Sequence, residues 1–360
     1  MSDSRRQRDD VDAPELLGQR KVDHLMLCNT EQVEARGQST LLDEVRLMHQ
    51  SLPELAYDEI DTSVEVLGRT LRYPLMISGM TGGTDEARAI NQVLAAAAQR
   101  HGFGFGLGSQ RAMMRDPARL ATYAVRDVAP DVLLLGNLGV VQAAQSSLQE
   151  IEDLVGAVGA DALCVHLNPA QELIQDHGDR DFRGALDALT RLVSDLSVPV
   201  VAKETGAGIS QEAVSQLVQA GVSWVDVSGA GGTTWVGVES LRASAALASV
   251  GEVLWDWGVP TAVSTVWASR GGMQVIASGG IRNGLDAARA IALGAQLASS
   301  ALPWLRAAMQ EGEAGVEALA NTWCRTLRSV LLLTGSADIA ALRRAPKVLG
   351  APLREWLEAR

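Results

Sequence analysis

At 360 residues, 47% hydrophobic and 21% charged, the chain has the composition of a globular protein with a large core, in one large domain or two ordinary ones. A net charge of −12 argues against a general nucleic-acid or anionic-membrane binder, but still allows a local basic patch that holds a phosphate. Cys28, Cys164 and Cys324 are widely spaced and form neither a disulfide framework nor a zinc pattern, which fits a reducing cytoplasm; no apolar run nears the ~18 residues of a membrane span, and no apolar signal region opens the chain.

Taken in chain order, residues 1–19 are expected to be a flexible polar tail. Arg20-Lys21-Val22-Asp23-His24 opens the first ordered segment with two adjacent cations and a histidine one helical turn later. Thr62, Val64, Val66 and Leu71 around Gly68-Arg69 predict a β-hairpin closing one end of a barrel. After Pro74 a rhythm begins, with apolar strands expected at 75–77, 103–105, 132–135, 162–165, 198–202, 224–227, 274–277 and 296–298, each followed by helical sequence. The connecting helices are expected over 85–100, 116–126, 143–158, 182–196, 210–220 (with Ser210 as its cap), 255–270 and 283–293. Residues 236–251 read as a long loop, either a lid or a disordered segment. Beyond Pro303 the sequence is helical and is expected to pack outside the barrel.

Eight uniformly apolar strands alternating with helices predict an α/β protein, a (β/α)8 TIM barrel with an N-terminal extension and extra C-terminal helices, as a single domain over 20–360. A doubly wound open sheet is disfavoured, because no strand is followed by G-x-G-x-x-G with an acidic residue ~20 positions on.

Chemistry collects where the strands end. The first strand ends in Met80-Thr81-Gly82-Gly83, the second in Ser109-Gln110-Arg111 and the third in Asn137. The fourth gives His166-Leu167-Asn168-Pro169-Ala170-Gln171-Glu172, the fifth Lys203, and the sixth Ser228 to Thr233. The seventh gives Gly279-Gly280 and Arg282, and the eighth Ser299 and Ser300. In a barrel these ends converge on one rim. The glycine pair after the seventh strand, with a helix starting at Asn283, is the expected phosphate anchor. Lys203 at the mouth would set a cation against a flavin's pyrimidine ring, unless it is paired with Glu204 or Glu172. Glu172 is the well-placed carboxylate for Mg²⁺, and Cys164 reads as core. There is no Ser-His-Asp logic, no G-x-S-x-G and no P-loop.

Together, His166-Leu-Asn-Pro-x-Gln171-Glu172, Met80-Thr-Gly-Gly-Thr84, Gly108-Ser-Gln-Arg111, Ser228-Gly-Ala-Gly-Gly-Thr-x-Trp235 and Ser278-Gly-Gly-Ile-Arg282 resemble the type 2 isopentenyl-diphosphate isomerases, in order from Arg20 to about Pro303. The resemblance implies an FMN- and Mg²⁺-dependent interconversion of isopentenyl and dimethylallyl diphosphate, with FMN active in its reduced form, NADPH as reductant and no net redox change. It implies a homo-oligomer, tetramer or octamer. By position, Arg20, Lys21, His24, Ser109, Gln110, Arg111, Asn168 and Gln171 would bind substrate, Gln171 and His166 would be catalytic, and Glu172 would hold the metal. Gly79, Met80, Thr81, Ser109, Asn137, Lys203, Ser228, Thr233, Gly279, Gly280, Arg282, Ala298 and Ser299 would hold FMN. Trp235, with Trp255 and Trp257, would close over the apolar tail. The family usually has Glu where Asp23 stands, Ser or Ala where Gly79 stands, and Gly near Ser299, and a side chain at 299 bears on how FMN phosphate is held. Rival readings are an FMN-dependent 2-hydroxy-acid oxidase or dehydrogenase, disfavoured because His177 is the last histidine, and a non-catalytic flavin-binding barrel.

Overall fold

Strands that are apolar on both faces need a layer on each side, and in the computed structural model, which describes residues 14–359, they find it by closing on themselves. The barrel strands are β1 (Leu75–Ile77), β2 (Gly104–Gly106), β3 (Leu133–Gly139), β4 (Ala162–Leu167), β5 (Val200–Glu204), β6 (Trp224–Asp226), β7 (Gln274–Ala277) and β8 (Leu297–Ser300). They pair in parallel and in sequence order, and β8 returns to β1 with Ala298 opposite Leu75 and Ser300 opposite Ile77. The eight strands fall where the apolar runs predict, within two residues at their starts. β3, β4 and β5 run further than expected, so Asn137, His166 and Lys203 sit on strand backbone instead of loops.

The predicted hairpin forms from Val64–Val66 and Arg69–Leu71. Val66 and Leu71 pack with Met76, Leu133, Cys164 and Leu297 in a separate apolar cluster inside the barrel. That cluster draws on the N-terminal ends of the strands, so the hairpin closes the end away from the polar strand exits. Cys164 lies there as core, buried with Cys28 and Cys324, and all three thiols are free.

Several connections differ from expectation, each for a local reason. The helix expected over 143–158 is two, Val140–Gln145 and Leu148–Val158, because Ser147 and Glu150 form a reciprocal capping box that starts a new helix. The helix expected over 116–126 is a 3₁₀ turn, Pro117–Thr122, led by Asp116. The long segment after β6 is ordered as Trp235–Ser240 and Ala245–Leu254, and Pro260 delays the next helix to Thr261–Arg270. Outside the barrel, Leu302–Leu333 packs against helices Asp85–His101 and Gly284–Ala292 and breaks direction at Gly312. Two three-residue strands, Val45–Leu47 and Lys347–Leu349, pair outside the barrel and have no clear sequence signal. The first helix runs Pro14–Thr30 and so takes in the last residues of the expected tail; residues 1–13 lie outside the described residues.

Candidate active site

The C-terminal ends of the strands surround a cavity of about 1260 Å³, its open mouth included. Five basic side chains line it, Arg20, Lys21, Arg111, Lys203 and Arg282, against one carboxylate, Glu172. In a chain with a net charge of −12, this local reversal points to an anionic ligand. Of the residues singled out in the sequence, His24, Gly79, Met80, Ser109, Asn137, His166, Asn168, Gln171, Ser228, Thr233, Gly279 and Gly280 also line the cavity.

The wall from β3 to β6 carries the ionisable groups. His166 lies opposite Gly139 on β3 and Lys203 on β5, and Lys203 lies opposite Asp226 on β6. His166 Nδ1 meets Asn137 Oδ1 at 2.8 Å, while Asn137 Nδ2 donates to the Leu107 carbonyl at 3.0 Å. The second bond fixes the amide's orientation, so Nδ1 carries the proton and Nε2 is left as an acceptor. Burial, then the charges of Lys203 and Arg111, push the His166 imidazole down to about 3, so it is neutral at physiological pH. Lys203 Nζ donates to Asp226 at 2.9 Å, so its partner is neither Glu204 nor Glu172. Glu204 instead accepts the backbone N–H groups of Ala207 and Gly208, and burial pushes its carboxyl up to about 8. Glu172 accepts from Asn168 Nδ2 and the Asp179 N–H, both at 2.8 Å, and burial pushes its carboxyl up.

The N-terminal helix brings Arg20, Lys21 and His24 over this wall. Lys21 Nζ is held by the Ser109 carbonyl and the Tyr123 hydroxyl, both at 2.7 Å, and burial followed by the Arg20 charge lowers its amine to about 7. Arg20 Nε is buried without a hydrogen-bond partner among the described residues, a donor that an incoming anion would satisfy. Beneath these groups lies Glu239, fully buried on the helix after β6. It accepts from His24 Nε2 at 2.9 Å, Gln171 Nε2 at 3.1 Å and Arg242 Nη1 at 3.0 Å. Burial opposes its ionisation, but the bonds from His24 and Gln171 and the Arg242 charge outweigh it and hold the carboxyl well below the usual range. Glu239 therefore ties the N-terminal helix to the Gln171 side chain.

The wall from β7 through β8 to β1 is built mostly of small residues, with Arg282, Met80 and Leu302 among them. Gly79, Ser278, Gly279, Gly280, Ser300 and Ala301 line it, and φ is +95° and +67° at Gly279 and Gly280. The loops after β6 and β7 interlock closely: a Cβ on Gly232 would lie 2.1 Å from the Gly280 nitrogen. A Cβ on Gly79 would lie 2.0 Å from the Leu107 carbonyl oxygen, so the glycine at this position matches a close backbone approach between the β1 and β2 exits. The wall leaves room and backbone donors for a flat ring and a phosphate, and so fits a flavin mononucleotide. For a metal, no group of three His, Cys, Asp or Glu side chains gathers among the described residues. A divalent cation at Glu172 would draw its other ligands from phosphate oxygens and water, as Mg²⁺ commonly does.

Four expected site residues do not line the cavity. Gln110 is fully buried, with Oε1 accepting the Asn137 N–H and Nε2 donating to the Leu154 carbonyl, so it braces the β3 exit and does not reach the cavity. Ala298 packs in the core, and Ser299 is fully buried with its hydroxyl on the Met76 carbonyl; the cavity wall begins one residue later, at Ser300. The side chain at 299 thus points into the barrel wall. Thr81 faces a small side pocket shared with Lys21, His24, Leu25, Met80 and Trp235, where its hydroxyl has no partner among the described residues. Arg282 lines the cavity while bonded to Glu34 at 2.8 Å through Nε. Of the three tryptophans, Trp235 lines the cavity, Trp255 is buried under the Arg36 guanidinium, and Trp257 is 65% exposed. The residues missed in the sequence are Glu239, Arg242, Asp226, Glu34, Gln142 and Gln175. Asp226 had a signal, an acid inside an otherwise apolar strand; the others sit in helices or loops without one.

A profile of the FMN-dependent dehydrogenase family matches residues 164–348. An isopentenyl-diphosphate delta-isomerase of Methanosarcina mazei is 44% identical over 346 residues, covering 95% of this chain and 94% of that protein. One from a Synechococcus strain is 48% identical over 343 residues, covering 94% and 98%, and one from Pyrococcus abyssi is 43% identical over 350 residues, covering 94% of each. Among solved structures, a mandelate oxidase variant with a monooxide FMN adduct shares the fold, with a TM-score of 0.62 at 19% identity over 96% of this chain and 99% of that one.

Proposed function

The chain belongs to the isopentenyl-diphosphate delta-isomerase family, and from that premise we propose that it interconverts isopentenyl and dimethylallyl diphosphate with FMN as cofactor and Mg²⁺ as the metal. The observation that carries the reading is the division of the cavity, with four of its five basic side chains and its carboxylate on one side and, Arg282 apart, mostly glycines and serines on the other. Reduced FMN, when bound, supplies an electron-rich ring that gives and accepts a proton. The chain's own residues do the rest. Arg20, Lys21 and Arg111 gather the diphosphate, and Arg20 has a buried donor unused by the described residues. Glu172 holds the metal against the phosphates, positioned by Asn168 and the Asp179 amide. Gln171, fixed by Glu239, faces the five-carbon unit, and neutral His166 offers Nε2 as an acceptor. Met80 and Trp235 provide the apolar, water-excluding surface that a carbocation-like transition state requires.

NADPH is the proposed reductant, and a homo-oligomer the proposed assembly. A cytoplasmic site is supported by three buried, unpaired cysteines, and no described helix is long and apolar enough to cross a membrane. A 2-hydroxy-acid oxidase would need a histidine base late in the chain, and there is none after His177. The test is to load the purified protein with FMN and assay isomer interconversion anaerobically with Mg²⁺ and reductant. Flavin binding together with interconversion is the expected result; bound flavin without isomerisation would sink the proposal.

A further inference from the structure

The partner of Lys203 suggests how the cavity floor controls charge. Lys203 lines the cavity and is 7% exposed. Asp226, opposite it on β6, is fully buried and holds Nζ at 2.9 Å. Its other oxygen accepts the Ser278 hydroxyl from the β7 exit, beside the glycine pair. Among the described residues Asp226 makes no other side-chain contact of this kind, so its carboxylate serves the lysine and the serine alone. A bare ammonium in a dry floor would set a full positive charge under the cavity; the carboxylate 2.9 Å away offsets part of that field.

We infer that Asp226 is a charge-compensating positioning residue, which makes the floor under the flavin a neutral dipole instead of a fixed cation. The inference rests on the proposed flavin site. It also suits that site's chemistry. An uncompensated cation favours the deprotonated, anionic reduced flavin, whereas a neutral floor lets the reduced ring keep the proton that an isomerase must deliver.

The test is the midpoint potential of bound FMN in the holoprotein, for the wild type, Asp226→Asn, Lys203→Met and the double variant. Asp226→Asn should favour reduced over oxidised flavin at least tenfold, about 30 mV more positive for a two-electron couple. Lys203→Met should shift the potential in the negative direction, and the double variant should return to within a few-fold of wild type. A merely structural role for Asp226 would not produce opposite shifts that cancel. An unchanged or more negative potential in Asp226→Asn would overturn the inference. Should that variant fail to fold, the double variant decides: a potential equal to that of Lys203→Met, instead of the wild type, overturns it as well. Failure of the wild type to bind FMN would bring down the functional reading itself, an outcome distinct from bound FMN with an indifferent Asp226.

Discussion

The two walls of the cavity are held by different physics. From β3 to β6 the residues are ionisable, buried and mutually paired: Asn137 orients His166, Asp226 holds Lys203, and Glu239 gathers His24, Gln171 and Arg242. From β7 to β1 the wall is mostly shape, glycine against glycine, with hydroxyls and backbone facing the cavity and Arg282 as its one charged side chain among the described residues. Charge placed in a dry interior gives directionality but fails steeply when one partner is lost. Backbone packing gives room for a flat cofactor but tolerates no added carbon. The contrast predicts that substitutions on the first wall damage stability and substrate handling, and those on the second damage cofactor binding.

The largest effect is expected at Glu239. Glu239→Ala removes the buried acceptor of His24 and Gln171, leaves Arg242 with the part-exposed Asp23 alone, and should destabilise the fold by about 3–5 kcal/mol in denaturant titration. Because the folded carboxyl lies below its ordinary 4.5, its stabilisation is complete above that pH and is lost as pH falls below it. Glu239→Gln should accordingly flatten the acid limb of the stability curve, and an unchanged limb would remove Glu239 from its role as hub. Next comes Gly232→Ala, whose Cβ must displace the Gly280 backbone. It should cost about 1–3 kcal/mol and release FMN, read by the flavin retained through gel filtration. Retention of full flavin content would show that the β7 wall is more yielding than its packing implies.

Glu172→Gln should raise the Mg²⁺ concentration needed for half-maximal turnover by about tenfold or more with flavin content unchanged, since even residues supporting a metal ligand cost about 10–100-fold when lost. Equal metal dependence in the variant would take Glu172 out of the metal role. The smallest effect is a fraction of a proton. The Lys21 amine lies at about 7 in the free protein, so it is largely neutral at pH 8, and a bound diphosphate should draw a proton onto it. Calorimetry in buffers of different ionisation heats should show uptake at pH 8, absent in Lys21→Met; equal uptake in both would place the proton elsewhere.

The barrel was readable because parallel strands are buried on both faces and therefore stand out as short apolar runs, each followed by its own polar exit. The cavity lining was largely readable for the same reason: residues just past a strand's end face the mouth. Where the structure departs from expectation, adjacency in a motif did not give direction in space. Gln110 lies between Ser109 and Arg111, which both line the cavity, yet its side chain turns into the core to brace Asn137. Ser299 precedes Ser300 by one residue and is still within the barrel wall. Glu239 and Asp226 were missed because their importance depends on partners far along the chain, His24 being 215 residues from Glu239. Such pairings become visible only once the strands are arranged in space.

A flavin that moves a proton without net redox chemistry is what separates the proposed isomerase from an oxidoreductase on the same barrel. The most direct measurement follows isopentenyl diphosphate and the flavin spectrum together, anaerobically, in reduced holoprotein with Mg²⁺. Many turnovers to dimethylallyl diphosphate are expected while the flavin stays reduced. Substrate conversion matched one for one by flavin reoxidation would contradict this and mark the protein as a flavoenzyme that reduces its substrate.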